Sequence, residues 1–558
     1  MLCSNCSPTF TALKKLKEGK LLSRLRSNQT PSALERVELT ELVSQAEKEV
    51  IKYEETIARL HEMIITYENA KNNLIRQVSL ARSLMAPVRR LPPEILRQVF
   101  IEHGTANEIR SLHEHVPGFQ LTSICCHWRA VATANTTLWK DITFTIEEES
   151  YPNHVFLVQT ILEFSANARL NVTINCGSSH EDTLAPPALS LLCDQAHRWE
   201  TFSGFCRINR GPVLDVLSSI QGRLTSLHTF QFVVPFRRYN VWIQNAPKLH
   251  TLTVEKIDVD NALIPLNQLV HFEMRFSLLS EIARSLLKLP NLLTLTVKYP
   301  RTSRVKTTAG DRVVERLVNS NITALEIVVR DESTEENMAS LFDMLVLPKL
   351  QSLSIVSTCD YKTNQEDTYW SAHQLPALIS RSSALITSFK LDDIWMPPGD
   401  LIALLRSMPA LTDLFICELS IEDDPSVLTD EFFLNLHCHR DRQPLLTNLT
   451  SLTLFGFDLS FTMRIFVEAI QSRWIPSSLA EDEVACIRTV ELHISEDTID
   501  PDSVRSLMAL RKRGLDITIE DENGDVFVQD LVSVSIFRPV IKTDELSPYE
   551  YVQVAVAA

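Results

Sequence analysis

Apolar residues recur at alternating steps of three and four positions over a long stretch near the N-terminus. The stripe consists of Leu39, Val43, Ala46, Val50, Tyr53, Ile57, Leu60, Ile64, Tyr67, Leu74, Val78, Ala81 and Met85, and Lys71 is its one polar member. This spacing is typical of a coiled-coil helix. We therefore predict one helix over residues 31–86, about 70 Å long from Leu39 to Met85 at about 1.5 Å per residue.

The sequence marks both the start and the end of this helix. Ser32 followed by Glu35 is a capping box, and Pro87 cannot continue a helix. A single stripe does not identify its partner, so two alternatives stay open. One is a coil with a second copy of the chain or another protein through residues 39–85, and the other is packing on the same chain. Residues 1–30, rich in lysine and arginine, are expected to form a basic flexible tail.

A second pattern, apolar-x-x-apolar-x-apolar, recurs ten times in the rest of the chain. Its first positions are Leu227, Leu249, Leu269, Leu292, Ile322, Leu350, Ile386, Leu411, Leu449 and Ile487. Helical patterns lie between these short strands, at 279–288, 312–319, 338–345, 401–408, 461–472 and 504–511. Strand, turn and helix repeated at this period are typical of leucine-rich repeats. We predict that residues 146–519 form an irregular α/β horseshoe with a parallel sheet on its concave side.

The two ends of this array have their own patterns. A helix over 154–166 and a strand over 170–174 lead into it, and 199–202 forms an early degenerate repeat. Ile257, Pro300 and Phe457 stand where such repeats often carry asparagine, so irregular turns are expected. Asn523-Gly524 predicts a hairpin over 515–530, and residues 520–558 are expected to hold a terminal hairpin and a loose tail.

Residues 87–145 form a compact unit between the helix and the repeats. A Pro-Pro pair begins one helix, and a second apolar helix is expected over 119–133. The segments Leu91-Pro92-Pro93-Glu94-Ile95-Leu96, Ile124-Cys125-Cys126-His127-Trp128-Arg129 and Leu138-Trp139 resemble an F-box. The arrangement of a coiled coil, the junction Pro87-Val88-Arg89-Arg90 and then this box resembles that of the F-box proteins of mushroom-forming fungi. Cys126 and His127 depart from the basic residues usual between Cys and Trp.

The resemblance implies a small all-α box that docks a Skp-type adaptor of a cullin-RING ubiquitin ligase. A unit of about 60 residues has a marginal core of its own, which agrees with apolar surface left for a partner. The expected adaptor-binding residues are Leu91, Pro92, Ile95, Leu96, Val99, Ile124, Val131, Leu138 and Trp139. For Phe100, Cys125 and Trp128 a place in the core of the box is the favoured interpretation. The alternative for the whole chain is a protein-interaction scaffold that acts outside any ligase.

The concave face of the predicted sheet is the candidate substrate surface. The position between the second and third apolar residues of each repeat points away from the core. Its candidates are Thr253, Thr296, Glu326, Ser354, Lys390, Phe415, Thr453 and Glu491, with Gln231 and Glu273 in the same position of earlier repeats. Arginine is missing from this set, which disfavours a phosphorylated substrate. Threonine also favours strands for reasons unrelated to binding.

Composition narrows the function classes. The chain of 558 residues is 45% hydrophobic and 22% charged, which indicates a globular protein. Residues 1–90 hold 15 basic and 10 acidic residues, a sum of +5; the total of −16 leaves −21 for the remainder. This acidic body disfavours nucleic acid as a partner. No apolar run is long enough for a membrane span, and no secretory signal is expected, so the predicted location is the cytoplasm and/or nucleus.

Chemistry-bearing motifs are scarce. Cys3-x-x-Cys6 lacks a second ligand pair, His437-Cys438-His439 lacks partners, and the glycine of Asp521–Asp525 sits at the wrong place for calcium. Glycine is rare at 12 residues, and no nucleophile elbow, phosphate loop or zinc-protease motif is found. We therefore expect no catalytic residues, metal or cofactor, and no enzymatic activity in this chain. The 11 cysteines are expected to be reduced and mostly buried.

Overall fold

The computed structural model describes residues 18–27, 30–110, 116–146, 153–176, 186–206, 212–233, 243–255, 264–301, 316–330, 335–358, 374–394, 396–418, 426–438, 443–456, 461–474, 484–494 and 501–520. The chain divides into two compact units, Met1–Leu96 and Arg97–Ala558.

The first unit is dominated by the long helix that the heptad pattern predicts. Helix α2 spans Ala33–Met85, and Ser32 caps it. The Glu35 amide donates to Ser32 Oγ at 3.4 Å, and the Ser32 amide donates to Glu35 Oε2 at 2.9 Å. No residue of α2 is buried, so its apolar stripe lies open. A shorter helix, α1, spans Glu18–Arg26 within the segment expected to be a flexible tail, and Arg24 pairs with Glu35 at 3.2 Å.

The region that resembles an F-box contains three helices and two strands. The helices are α3 (Pro93–His103), α4 (Pro117–Ile124) and α5 (Cys126–Ala134), and the strands are β1 (Ala106–Ile109) and β2 (Asp141–Ile146). The predicted all-α box is therefore wrong in this respect. The single helix expected over 119–133 is also wrong, because Cys125 is extended and caps α5 through a 3.4 Å contact from the Trp128 amide.

The rest of the second unit alternates strands with helices. The strands are β3 (Leu170–Cys176), β4 (Trp199–Cys206), β5 (Thr229–Val233), β6 (Thr251–Val254), β7 (His271–Arg275), β8 (Thr294–Lys298), β9 (Leu317–Val318), β10 (Ala324–Val329), β11 (Leu345–Val346), β12 (Ser352–Ser357), β13 (Ser388–Asp392), β14 (Asp413–Glu418), β15 (Ser451–Gly456), β16 (Thr489–His493) and β17 (Asp516–Glu520). The helices are α6 (Asn153–Phe164), α7 (Pro187–Asp194), α8 (Pro212–Ser218), α9 (Leu279–Leu286), α10 (Glu335–Met344), α11 (Gln374–Ser382), α12 (Pro398–Arg406), α13 (Asp430–Leu436), α14 (Met463–Arg473) and α15 (Pro501–Arg511).

Fifteen of the strands in the described part of the chain form one parallel sheet in sequence order, from β1 to β17, with only β9 and β11 outside it. All ten predicted repeat strands take their places in this order. The thirty apolar residues of their pattern are all buried, each at most 2% exposed. Parallel strands in sequence order with intervening helices resemble a leucine-rich-repeat solenoid. The repeat prediction is confirmed at this level.

One local prediction in the array is wrong, and another lies partly outside the described residues. Within the helix expected over 312–319, Leu317 and Val318 instead form strand β9, which pairs with β11 in a separate sheet. The first strand of the expected hairpin is present as β17, which pairs in parallel with β16 and extends the array. The remainder of that hairpin and the tail lie outside the described residues, as do Cys3, Cys6 and 521–525.

Neighbouring repeats are joined by side-chain amides just before the first apolar residue of a repeat. Asn291 Nδ2 donates to the Asn267 carbonyl, Asn321 Nδ2 to the Pro290 carbonyl and Asn448 Nδ2 to the Pro409 carbonyl, at 2.7, 2.7 and 2.8 Å. Gln268 Nε2 donates to the carbonyls of Ala246 and Leu249 at 2.8 Å each. The asparagines that such repeats often carry after the strand are missing here, and these side-chain amides stand before the strand instead.

Candidate protein-binding surfaces

Three of the predicted adaptor-binding residues are large apolar side chains that stay about half exposed. Ile95 and Val99 stand four positions apart on α3, and Ile124 ends α4. Pro92 is also exposed and Leu91 is partly exposed. Apolar side chains left in water on so small a unit are typical of a surface that binds a partner protein.

Four other predicted contact residues are buried and cannot touch an adaptor in this structure. They are Leu96, Val131, Leu138 and Trp139. Trp139 shows the reason, because its ring lies 5.4 Å from the Phe119 ring and 5.0 Å from the Phe164 ring. Its indole Nε1 donates to the Ala132 carbonyl at 2.9 Å. This part of the motif forms the interior of the box.

The three residues assigned to the core divide between core and surface. Phe100 is fully buried, with its ring 4.9 Å from the Trp128 ring. Trp128 and Cys125 are only partly buried. Cys126 and His127, the departure from the usual pattern, are both exposed at the start of α5. The unusual residues therefore lie at the surface of the box.

The strand registers bring the candidate substrate residues into one row across the sheet. Glu273 is paired with Thr296, and the row continues through Glu326, Ser354, Lys390, Phe415, Thr453 and Glu491. Thr253 joins this row through its pairing with Glu273. We call the side of the sheet that carries this row the open face.

Not every member of the row is accessible. Thr253 and Thr296 are buried, so they are poor candidates for contact with a partner. The Thr296 hydroxyl donates to Glu326 Oε2 at 3.1 Å, which places the Glu326 side chain against Thr296. The other six predicted residues are partly exposed.

Arginine does reach the open face, one row beyond the candidate positions. Arg275 is paired in register with Lys298, and Glu273 binds both, at 2.6 Å to Arg275 Nε and 3.6 Å to Lys298 Nζ. The repeat pattern did not point to this cluster, because Arg275 and Lys298 stand two positions after the candidate row. With a carboxylate between the two cations, the cluster does not resemble the arginine fork of a phosphate site.

The C-terminal strands carry aromatic rings on the open face. Lys390 Nζ lies 4.8 Å from the centre of the Phe415 ring and 2.9 Å from Asp392 Oδ2. On the next strands the Phe455 and His493 rings stack at 4.1 Å, and His493 Nδ1 lies 3.4 Å from Glu520 Oε2. Burial lowers the pKa of His493, against the effect of Glu520 and Glu491, which favours the neutral imidazole.

Features of other site classes are scarce in the described part of the chain. Among the described residues, no group of three or more His, Cys, Asp or Glu could hold a metal ion. No helix in the described part of the chain is long and apolar enough to cross a membrane. Cys176, Cys193, Cys206 and Cys417 are buried thiols outside any disulfide.

Comparison with known proteins gives distant similarity to solved structures. No family model matches the chain, and no curated protein matches it. Among solved structures, an internalin (inlF) from Listeria monocytogenes is 14% identical, with 68% of this chain and 92% of that chain covered and a TM-score of 0.26. The leucine-rich-repeat-like fold is therefore argued from the strand order and the buried repeat pattern described above.

Proposed function

We propose that this chain is the substrate-recognition subunit of a Skp-cullin-F-box-type ubiquitin ligase. In this role the box docks the Skp-type adaptor, and the open face of the sheet binds a substrate protein. Ubiquitin transfer is then performed by the assembled ligase, and this chain contributes the positioning of the substrate. A repeat array with an open sheet face fits the broader role of a protein-interaction scaffold.

The observation that supports the adaptor is the exposure of Ile95, Val99 and Ile124. Each is about half exposed, whereas Leu96 and Phe100 on the same helix α3 are fully buried. The helix therefore separates a face that fills the interior from a face that offers apolar side chains. Burying such side chains against a partner contributes about 1.5–3 kcal/mol each relative to full exposure.

The test is co-expression with a Skp-type adaptor, followed by size-exclusion chromatography. We expect co-elution that is lost in the Val99→Asp/Ile124→Asp variant and in the Leu91→Ala/Pro92→Ala variant. Leu287→Asp is the matched control, because Leu287 is an exposed leucine of the array. The adaptor role is refuted if the folded wild-type chain fails to co-elute with the adaptor. It is also refuted if the control variant loses co-elution to the same extent.

The second candidate is a scaffold that binds partners outside any ligase. The exposed Cys126 and His127 favour it, since they replace the basic residues usual at that place in the box. A scaffold predicts no adaptor co-elution and no stabilisation of the chain in cells when the proteasome is inhibited. The ligase role predicts both.

A further inference from the structure

Two similar side-chain arrangements stand close together on the open face of the last five strands. Asp392, Lys390 and Phe415 form one series of carboxylate, cation and ring, with contacts of 2.9 and 4.8 Å. Glu520 and His493 with Phe455 form the other, with contacts of 3.4 and 4.1 Å. We call the open-face positions of β13–β17 the C-terminal patch.

The strand register places the two phenylalanines on adjacent strands. Phe415 of β14 is paired with Thr453, and Cys417 of β14 is paired with Phe455 of β15. The two phenylalanines are therefore offset by two residues along neighbouring strands, and those strands lie about 4.8 Å apart in the sheet. Phe415 is the only aromatic residue in its row, which elsewhere in the described strands holds polar side chains.

The patch is strongly acidic around these rings. Its open-face positions include five carboxylates and one ammonium group, namely Asp392, Asp413, Glu491, Asp516 and Glu520 against Lys390. Asp413 and Asp516 are exposed. The Cys417 thiol lies within the patch, and its pKa is raised by burial and then by the charge of Asp392. The net charge of these positions is −4 with His493 neutral.

Apolar rings framed by carboxylates complement a basic segment with an apolar side chain. The rings offer a surface for an aliphatic or aromatic anchor, and the carboxylates attract lysine or arginine on either side of it. Five strands span about 19 Å, which about six residues of extended chain would cross. Lys390 and His493 hold the rings in place, so little ordering is required when a partner binds.

We propose that the C-terminal patch is the substrate-docking site of the array and that it selects an extended basic segment with an apolar anchor. This inference rests on the proposed function, because it assigns a substrate class to the same open face. The anchor contacts Phe415 and Phe455, and flanking basic residues pair with Glu491 and Asp413. An acidic or phosphorylated segment is disfavoured by the same carboxylates.

The test measures binding of fluorescent peptide mixtures to the purified full-length chain. Four synthetic mixtures are used: basic with a central Leu or Phe, acidic with the same centre, basic with a central Ser, and uncharged with a central Phe. We expect the first mixture to bind at least about 10-fold more tightly than the others. Raising the salt from about 0.05 M to about 0.5 M should weaken that binding, because exposed charge pairs are screened.

Variants then locate the site. Phe415→Ala/Phe455→Ala should weaken binding of the first mixture about 10-fold or more, and Glu491→Gln/Asp413→Asn should remove most of its salt dependence. Phe205→Ala and Glu108→Gln are matched controls, since both residues lie on the open face of the early strands β4 and β1. All variants are compared by circular dichroism and thermal unfolding.

Three outcomes would overturn the inference: preferred binding of the acidic mixture, equal loss in the control variants, or no binding of the first mixture at about 1 mM. None of these decides the proposed function, which depends on adaptor co-elution. Conversely, if the chain does not bind the adaptor but binds the basic mixture at the patch, the docking site stands and the ligase role is refuted.

Discussion

Gly204 shows how tightly single residues are constrained in the early strands. Its φ is +120°, and a Cβ built on it would lie 2.1 Å from the Ile174 carbonyl oxygen on the neighbouring strand. No side chain can be accommodated there without moving a strand. We predict that Gly204→Ala lowers the free energy of unfolding by about 3 kcal/mol or more.

Urea denaturation measures this loss, and Gly399→Ala is the matched control. Gly399 lies in the first turn of α12, and a Cβ there would meet nothing within 4 Å. Because alanine favours helix, the control should be neutral or more stable by up to about 1 kcal/mol. Equal stability of the two variants would contradict the strain argument.

Glu418 makes stability depend on pH in an unusual direction. Its carboxylate is buried and accepts hydrogen bonds from the Ser426 hydroxyl and the Val427 and Leu428 amides. Burial nevertheless raises its pKa above the ordinary value of 4.5. The folded state therefore keeps the proton to higher pH than the unfolded chain, so this residue's contribution to stability falls as pH rises from 4.5 through the folded pKa.

The prediction is a difference in slope between wild type and Glu418→Gln. The unfolding free energy of the variant, measured in urea from about pH 4 to about pH 8, should lack the part of the decline that Glu418 causes. Glu431→Gln, at an exposed position of α13, serves as the control and should keep the wild-type slope. Parallel curves for wild type and Glu418→Gln would refute the assignment.

Whether a residue is core or contact surface could not be decided from the sequence. The F-box pattern marked Leu96 and Trp139 alike with Ile95, yet the first two are buried and Ile95 is exposed. A motif records which residue types recur, and burial depends on which face of a helix the neighbouring elements cover. The same limit applies to Thr253 and Thr296, which stand in the predicted open-face row and are buried.

At the scale of elements, arginines near helix ends hold successive helices together. Arg473 ends α14 and is fully buried, where its guanidinium donates to the carbonyls of Leu436 and Leu446 at 2.6 and 2.8 Å and also to the Leu445 carbonyl. Arg381, which is partly buried near the end of α11, likewise donates to the Phe342 carbonyl at 2.7 Å. Each arginine replaces the water that would otherwise satisfy those backbone groups.

We predict that Arg473→Met destabilises the chain by about 3–5 kcal/mol, because it leaves several buried carbonyls without donors. Thermal and urea unfolding would measure the change. Arg464→Met is the matched control on the same helix, where the side chain is 81% exposed and pairs with Glu468. That surface pair should be worth less than about 1 kcal/mol, and a loss as small for Arg473 would contradict its proposed role.

The regular elements were predictable where a period was present. The ten repeat strands and α2 follow directly from spacing, because each buried or capped position repeats at a fixed interval. Strands β1 and β2 were missed because the family pattern of an all-α box took precedence over the alternation of Ile142, Phe144 and Ile146. Arg473 was missed since a polar residue in a helix is ordinarily expected at its surface.

At the scale of the whole molecule, the exposed apolar residues in the stripe of α2 predict self-association. Ile57, Ile64 and Val78 are each about half exposed or nearly so, and the helix has no buried residue over its 53 positions. β-Branched residues at every seventh position suit a two-stranded coiled coil, and Lys71 occupies the same position in its heptad. A helix with this stripe in water gains about 25 cal/mol for each Å² that it buries.

We expect the full-length chain to form a concentration-dependent dimer in sedimentation experiments, and Ile57→Asp/Ile64→Asp to be monomeric with its helix content retained. Lys71→Leu should tighten the dimer, because it removes the polar interruption of the stripe. Glu62→Asp, a change outside the stripe, should leave the association unchanged. A wild-type chain that stays monomeric at every concentration would leave a heterotypic partner as the occupant of the stripe, and Lys71 would then be the residue that selects it.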